Sequence, residues 1–198
     1  MSTHAIPLSV LDLVPISSGS TARAALDNAV DLARRAEAAG YARYWLAEHH
    51  LNPGVAGTSP ALIISLIAGA TGHIRVGSGA VQMGHRTAVA TVEEFGLLDA
   101  LHPGRFDLGL GRSGGKPREA KVPVPAAAAT RVNGTGGLLI PGKFDPLPLL
   151  KSPRFALQRA LLQLPGAQSQ DYTDQIDDIL ALIAGGYRNA DGLTARVV

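Results

Sequence analysis

The sequence has 198 residues, 46% of them hydrophobic and 17% charged, which is enough to bury a sizeable core and too apolar for a disordered chain. Eighteen Lys and Arg against 16 Asp and Glu leave a net charge of +2, and the basic residues are scattered rather than gathered into a stripe, so the electrostatic footprint of a nucleic-acid binder is missing. The absence of cysteine excludes disulfides, thiolate metal sites and a cysteine nucleophile, and it fits a reducing compartment.

The chain opens on "MSTHAIPLSVLDLVP", where an Asp and two prolines interrupt the basic start and apolar run of a signal peptide, so no export signal is expected and the cytoplasm is the expected location. Within it "PLSVLDLV" (7–14) predicts a buried strand, followed by the turn "SSGST". Ala22, Leu26, Ala29, Ala33 and Ala36 recur at spacings of three and four and predict a helix, with Ser20 or Thr21 as its cap and Gly40 as its end. "ARYWLAE" (42–48) is a second strand. Ser59 followed by Pro60 opens a second helix that runs through Ala70 and closes at Gly72. Its apolar stretch "ALIISLIAGA" is far short of the roughly 20 residues that span a bilayer, so no membrane partner is expected. "IRVGSGAV" (74–81) is a third strand and "TAVATVEEFGLLDAL" (87–101) a third helix, with Val89, Val92, Leu97 and Leu101 available for its buried side and "HPG" as its stop. "RFDLGLG" (105–111) is a fourth strand.

Strands that alternate with helices and carry apolar runs imply an α/β fold with a parallel sheet covered by helices, either a barrel or an open doubly wound sheet. In both, ligand chemistry collects at the carboxyl ends of the strands. Glu48 to His50, Gly79, Ala80 and Arg112 all fall there. Beyond Arg112 the composition turns to Pro, Ala, Gly and Thr without a sustained period, which predicts a long irregular insertion over 116–170 with a short hairpin around "GLLIPGKF" and a short helix over 155–164. A firmer helix is expected over 171–187, capped by Asp171, with Ile176, Ile179, Leu180 and Ile183 as its apolar stripe and a Gly pair as its end. The expected domains are thus 1–115, 116–170 and 171–198.

Several constellations invite a chemical reading. Gly109, Gly111 and Gly114 match G-x-G-x-x-G after a strand, but "GKP" follows where a dinucleotide fold would open a helix, and no later acidic partner supports it. Arg112 can clamp a phosphate with two prongs or be a solvated loop arginine. Gly77 and Gly79 weaken a strand, so either a flat ligand or distorted peptide lies there, or a neighbouring strand packs closely. "YWLAEHH" (44–50) ends a strand in a carboxylate and two histidines. Neighbours in an extended chain point to opposite sides, so His49 and His50 are poorly placed to ligate one ion, and no metal is expected. A histidine there is either a general acid or base, or an imidazole satisfied by backbone carbonyls.

Taken in order, "LSVLDLVPISSGS", "DLARRAEAAGYARYWLAEHH", "IRVGSGAV" and "EEFGLLDALHPGRFDLGLGRSGG" resemble the bacterial luciferase-like family of flavin-dependent monooxygenases, closely over 6–115 and poorly beyond. The resemblance implies a TIM barrel that binds reduced flavin mononucleotide (FMN), or in some branches a deazaflavin coenzyme, at the carboxyl ends of its strands. It implies His49 as the catalytic histidine with Glu48 beside it, a non-prolyl cis peptide at Gly79–Ala80 under the flavin ring, and Arg112 as a phosphate ligand. Asp12, in the first strand, joins Gly79, Ala80 and Arg112 in the expected cofactor-binding set. The substrate implied is a small organic molecule such as an aldehyde or ketone, and a flavin reductase is the implied supplier of cofactor.

A complete barrel takes about 250 residues and eight strands, so the four strands expected here amount to its first half. A truncated sequence, a short member that forms a homo-oligomer or pairs with another chain, and a remnant without catalysis are the three options; "GLTARVV" resembles the lead into a further strand and favours truncation. The competing class is a non-catalytic flavin-binding or assembly subunit.

Overall fold

The computed structural model describes residues 6–112, 132–133, 139–140, 148, 151–168 and 170–197. Strand β1 (Ser9–Asp12) leads to helix α1 (Ala22–Ala38), β2 (Arg43–Leu46), α2 (Pro60–Ala70) and β3 (Arg75–Ser78). There follow β4 (Val81–Gln82), a 3₁₀ turn (Met83–His85), α3 (Ala88–Leu101), β5 (Phe106–Asp107) and β6 (Leu110–Gly111). The helices begin where capping chemistry places them. Thr21 and Thr87 accept from the amides of Ala24 and Ala90, both at 3.2 Å. Ser59 stands extended before Pro60 without a side-chain cap bond, and Gly40 leaves α1 with φ of 78°.

Four strands pair in parallel in the order β1-β2-β3-β5. In register, Val10, Tyr44, Val76 and Phe106 form one row, and Leu11, Trp45, Gly77 and Asp107 the next. The helices cover the face bearing Tyr44, Leu46 and Val76, which are fully buried. Ala25, Ala29, Ala33 and Ala36 give α1 a small-residue side that lets it lie close, and Ile63, Ile64 and Ile67 of α2 fill the space beside it. Each such buried aliphatic side chain contributes about 1.5–3 kcal/mol. On the opposite face Leu11 is 59% exposed, and Arg43 and Arg75 both reach Asp107, at 2.9 and 2.5 Å. These parallel βα units are half of a TIM-type barrel; among the described residues the sheet does not close, and β1 and β5 are its edges.

The third and fourth strands, expected as single runs, are each divided. β3 pairs with β2 and β5, whereas β4 pairs with β6 in a separate parallel ladder. Between the pieces lie the Gly79–Ala80 peptide, which is cis, and Gly109. The Ser78 hydroxyl donates to the Gly109 carbonyl at 2.9 Å and accepts from the Gly109 amide at 3.0 Å, and the same carbonyl also accepts from the Val81 amide at 2.8 Å. Trp45 lies against Gly77, where a Cβ would come within 2.6 Å of the indole and of the Asp107 carbonyl, so close packing accounts for that glycine.

Two expected helix faces are corrected. In α3, Val92 is buried, but Val89, Leu97 and Leu101 are 45, 57 and 68% exposed; the buried side is Ala88, Thr91, Val92, Phe95 and Leu98. The helix is apolar on more than one side, so spacing alone leaves several stripes open.

The chain divides into two compact units, Met1–Gly115 with Gln168–Val198, and Lys116–Ala167. The second contains the antiparallel pair β7 (Val132–Asn133) and β8 (Leu139–Ile140), and helix α4 (Pro153–Leu162), capped by Ser152. β8 lies within "GLLIPGKF"; most of the expected irregular stretch before Lys151 falls outside the described residues. In the first unit α5 (Tyr172–Ile183) is capped by Asp171, and β9 (Tyr187–Arg188) pairs antiparallel with β10 (Thr194–Ala195). The buried face of α5 is Gln175, Ile179 and Leu182, while Leu180 and Ile183, expected inside, are 59 and 61% exposed. A buried glutamine breaks the apolar spacing from which the stripe was read. Among the described residues no helix is long and apolar enough to cross a membrane.

Candidate functional site

Parallel pairing brings the carboxyl ends of the strands to one edge, and the polar residues of that edge gather around Glu48. Its side chain is fully buried. Oε2 accepts from the Gln82 amide at 2.7 Å. Oε1 accepts from His50 Nε2 at 2.7 Å and His85 Nε2 at 3.2 Å, with Arg86 Nε at 3.5 Å. The Gln82 side chain donates back to the Glu48 carbonyl at 2.5 Å. Burial pushes the Glu48 carboxyl up, but hydrogen bonds from His85, the Gln82 amide and His50, with the charge of Arg86, outweigh it and hold the pKa at about 2.

An ionised carboxylate can only accept, so both histidines present Nε2–H to it, and a neutral His85 then carries its lone pair on Nδ1. That Nδ1 is buried and has no hydrogen-bond partner among the described residues. The two imidazoles meet edge to face, with centroids 4.8 Å apart. Glu48, His50 and His85 have metal-ligand spacing, their donor atoms lying within 4.8 Å of one another. Arg86 already presents a fixed cation to the shared oxygen, however, and holds Glu94 at 2.6 Å on its other side. The arrangement therefore suits holding protons and orienting imidazoles better than binding a dication.

The remaining expected site residues occupy the same edge in different environments. Asp12 is 7% exposed; its carboxylate accepts from the Val14 amide at 2.7 Å and the Tyr44 hydroxyl at 2.5 Å. Val14 has φ of 54°, a conformation that costs a β-branched residue about 1–3 kcal/mol, and the Asp12 bond holds it there. Burial first, then Asp12, pushes the Tyr44 phenol far up. The imidazole of His49 is exposed and stands outside the Glu48 cluster, while its amide donates to Gly57 at 2.8 Å. Gly79 donates its amide to Leu46 at 2.7 Å, and a Cβ there would sit 3.2 Å from Leu11 and 3.4 Å from Trp45. Ala80 is half-buried and Arg112, just after β6, is exposed. Gly109 lies so close to the Ser78 carbonyl that a Cβ would overlap it, which explains one glycine of the G-x-G-x-x-G match by packing; Gly114 lies outside the described residues.

Residues 6–134 match the family model described as luciferase-like monooxygenase. The chain belongs to the luciferase-like monooxygenase family. The luciferase-like monooxygenase of Escherichia coli (strain K12) is 46% identical over 122 residues, 62% of this chain and 36% of its own. The structure of apo-MsnO8 is 28% identical with a TM-score of 0.68, over 98% of this chain and 46% of that one. The oxygenating constituent of 3,6-diketocamphane monooxygenase from Pseudomonas putida, in complex with FMN, shares the fold at 16% identity and a TM-score of 0.60, over 98% and 44% of the two chains. The chain spans less than half the length of the curated relatives it matches.

Sequence reasoning missed Gln82, His85 and Arg86. The signal that could have found them is "QMGHRT" directly after a strand, a polar group at the edge where βα folds collect ligands. The structure takes His50 into the cluster and leaves the exposed His49 outside it.

Proposed function

We propose that this chain carries the first half of a flavin-dependent monooxygenase that uses reduced FMN and dioxygen to oxidise a small organic substrate such as an aldehyde or ketone. The observation that carries this reading is the fully buried Glu48 carboxylate, which holds two imidazoles and a guanidinium at the carboxyl edge of a parallel sheet in a luciferase-like chain. The residues of that edge fit a planar cofactor. Gly79 leaves backbone without a side chain beside Leu11 and Trp45, and Arg112 is exposed for a phosphate. When bound, reduced flavin supplies the electrons that activate dioxygen. A deazaflavin coenzyme is the alternative occupant of the same edge.

Each residue has a distinct task in this reading. His49, exposed beyond β2, holds or moves the proton at its imidazole. Glu48, with a pKa of about 2, keeps no proton to give near neutral pH and acts by orienting His50, His85 and Arg86. Gly79 and Ala80 support the ring, Arg112 holds the phosphate, and Asp12 fixes the floor through Val14 and Tyr44. A flavin reductase supplies the cofactor in the cytoplasm.

The open sheet and the exposure of Leu11 favour a second reading, a non-catalytic flavin-binding or assembly subunit that pairs with another chain. Anaerobic titration with reduced FMN, followed by admission of air, separates the two. Binding with reoxidation altered relative to free flavin, and product from an added aldehyde, supports the enzyme; tight association with no oxygenation supports the subunit.

A further inference from the structure

Helix α5 lies outside the family-matched residues 6–134, yet it sets a buried amide against the turn that carries His85 and Arg86. Gln175 is 4% exposed. Its Nε2 donates to the carbonyl of Met83 at 3.0 Å and to that of Arg86 at 3.2 Å, at the two ends of the 3₁₀ turn. The turn's own closing bond, from the Arg86 amide to Met83, is long at 3.4 Å. A single turn of this type has poor internal geometry, so outside donors decide its shape. One helical turn before Gln175, the Tyr172 hydroxyl donates to the Leu110 carbonyl at 3.0 Å, so the same side of α5 also grips β6, which leads to Arg112.

Burial alone does not call for an amide here. Ile179 and Leu182 fill the rest of this face, and a methionine at 175 would fill the same space without the cost of desolvating a polar group. We infer that Gln175 is a positioning residue, which through the Met83 and Arg86 carbonyls sets the reach of His85 and Arg86 to Glu48. The inference rests on the reading of the Glu48 cluster as part of the reaction site, and it is tested without flavin, so a chain that binds no flavin counts against that reading and leaves this one standing.

The test is NMR on the 198-residue chain with nitrogen-labelled histidine rings. In the unsubstituted protein His85 is expected to show the Nε2–H tautomer, and the Gln175 side-chain amide protons to exchange slowly. Gln175→Met is expected to move the His85 signals towards a mixture of tautomers. Ile179→Ala, which loosens the same helix but keeps the amide, is expected to lower the melting temperature and leave the His85 signals in place. Unmoved His85 signals in Gln175→Met, or equal movement in Ile179→Ala, overturn the assignment. Fast exchange of the Gln175 amide protons in the unsubstituted protein overturns it as well, and that reading remains accessible if Gln175→Met fails to fold.

Discussion

Glu48→Gln keeps the shape of the side chain and removes its charge, which makes it a direct probe of the cluster. In the folded chain the carboxyl falls from its ordinary 4.5 to about 2, because the hydrogen bonds and Arg86 outweigh the upward push of burial. At about 1.36 kcal/mol per unit, this fall corresponds to roughly 3 kcal/mol of stability, the lower end of what breaking a buried ion pair costs. The amide also turns one accepting atom into a donor that faces donors. A folded-state pKa below the unfolded one gives stability that is fully present above the unfolded value and is lost as pH falls through the folded value. Urea denaturation of both proteins should therefore show a gap of about 3 kcal/mol near pH 7 that holds down to about pH 5 and narrows as pH falls towards 2. A gap below about 0.5 kcal/mol at pH 7, or one that widens in acid, would refute the argument that an ionised Glu48 holds the site together.

Glu37 makes the same prediction away from the site. Burial pushes its carboxyl up, but the amides of His73, Ile74 and Gly72 overcome this and hold it at about 2, so Glu37→Gln should lower stability at neutral pH in urea melts, by less than Glu48→Gln because water screens this site, and progressively less below pH 4.5. Gly109→Ala places a Cβ on the Ser78 carbonyl and should destabilise by about 1–3 kcal/mol, read as a lower thermal midpoint; an unchanged midpoint would contradict the close approach. Arg105 grips the carbonyls of Ala68, Thr71 and Ile74 with its forked donors, so Arg105→Lys should cost about 1–2 kcal/mol in denaturant titration, since an ammonium cannot span all three. Because His49 is exposed, His49→Ala should leave stability within about 0.5 kcal/mol while abolishing oxygenation; retained turnover would remove His49 from the chemistry.

What could be read from the sequence was what local chemistry decides. Thr21 and Asp171 announce helix starts because a cap acts over three or four residues, and Gly40 and Gly185 announce ends because they adopt positive φ. The βα alternation then fixed the edge on which Glu48, Ala80 and Arg112 stand. What stayed hidden depends on residues distant in sequence. His85 reaches Glu48 across 37 positions, Ser78 meets Gly109 across 31, and Gln175 meets Met83 across 92, and no periodicity encodes such separations. The buried side of α3 was hidden for another reason, since a helix with apolar residues all round leaves the choice of face to its neighbours.

The single hydroxyl that spans the divided strands couples two positions far apart in the chain. Ser78 Oγ both donates a hydrogen bond to the backbone of Gly109 and accepts one from it, and any side chain at 109 would meet the carbonyl of 78. A change at either position therefore disturbs the contact made by the other. Together the two residues make a splice that lets a sheet alter its course beneath the mouth without coming apart.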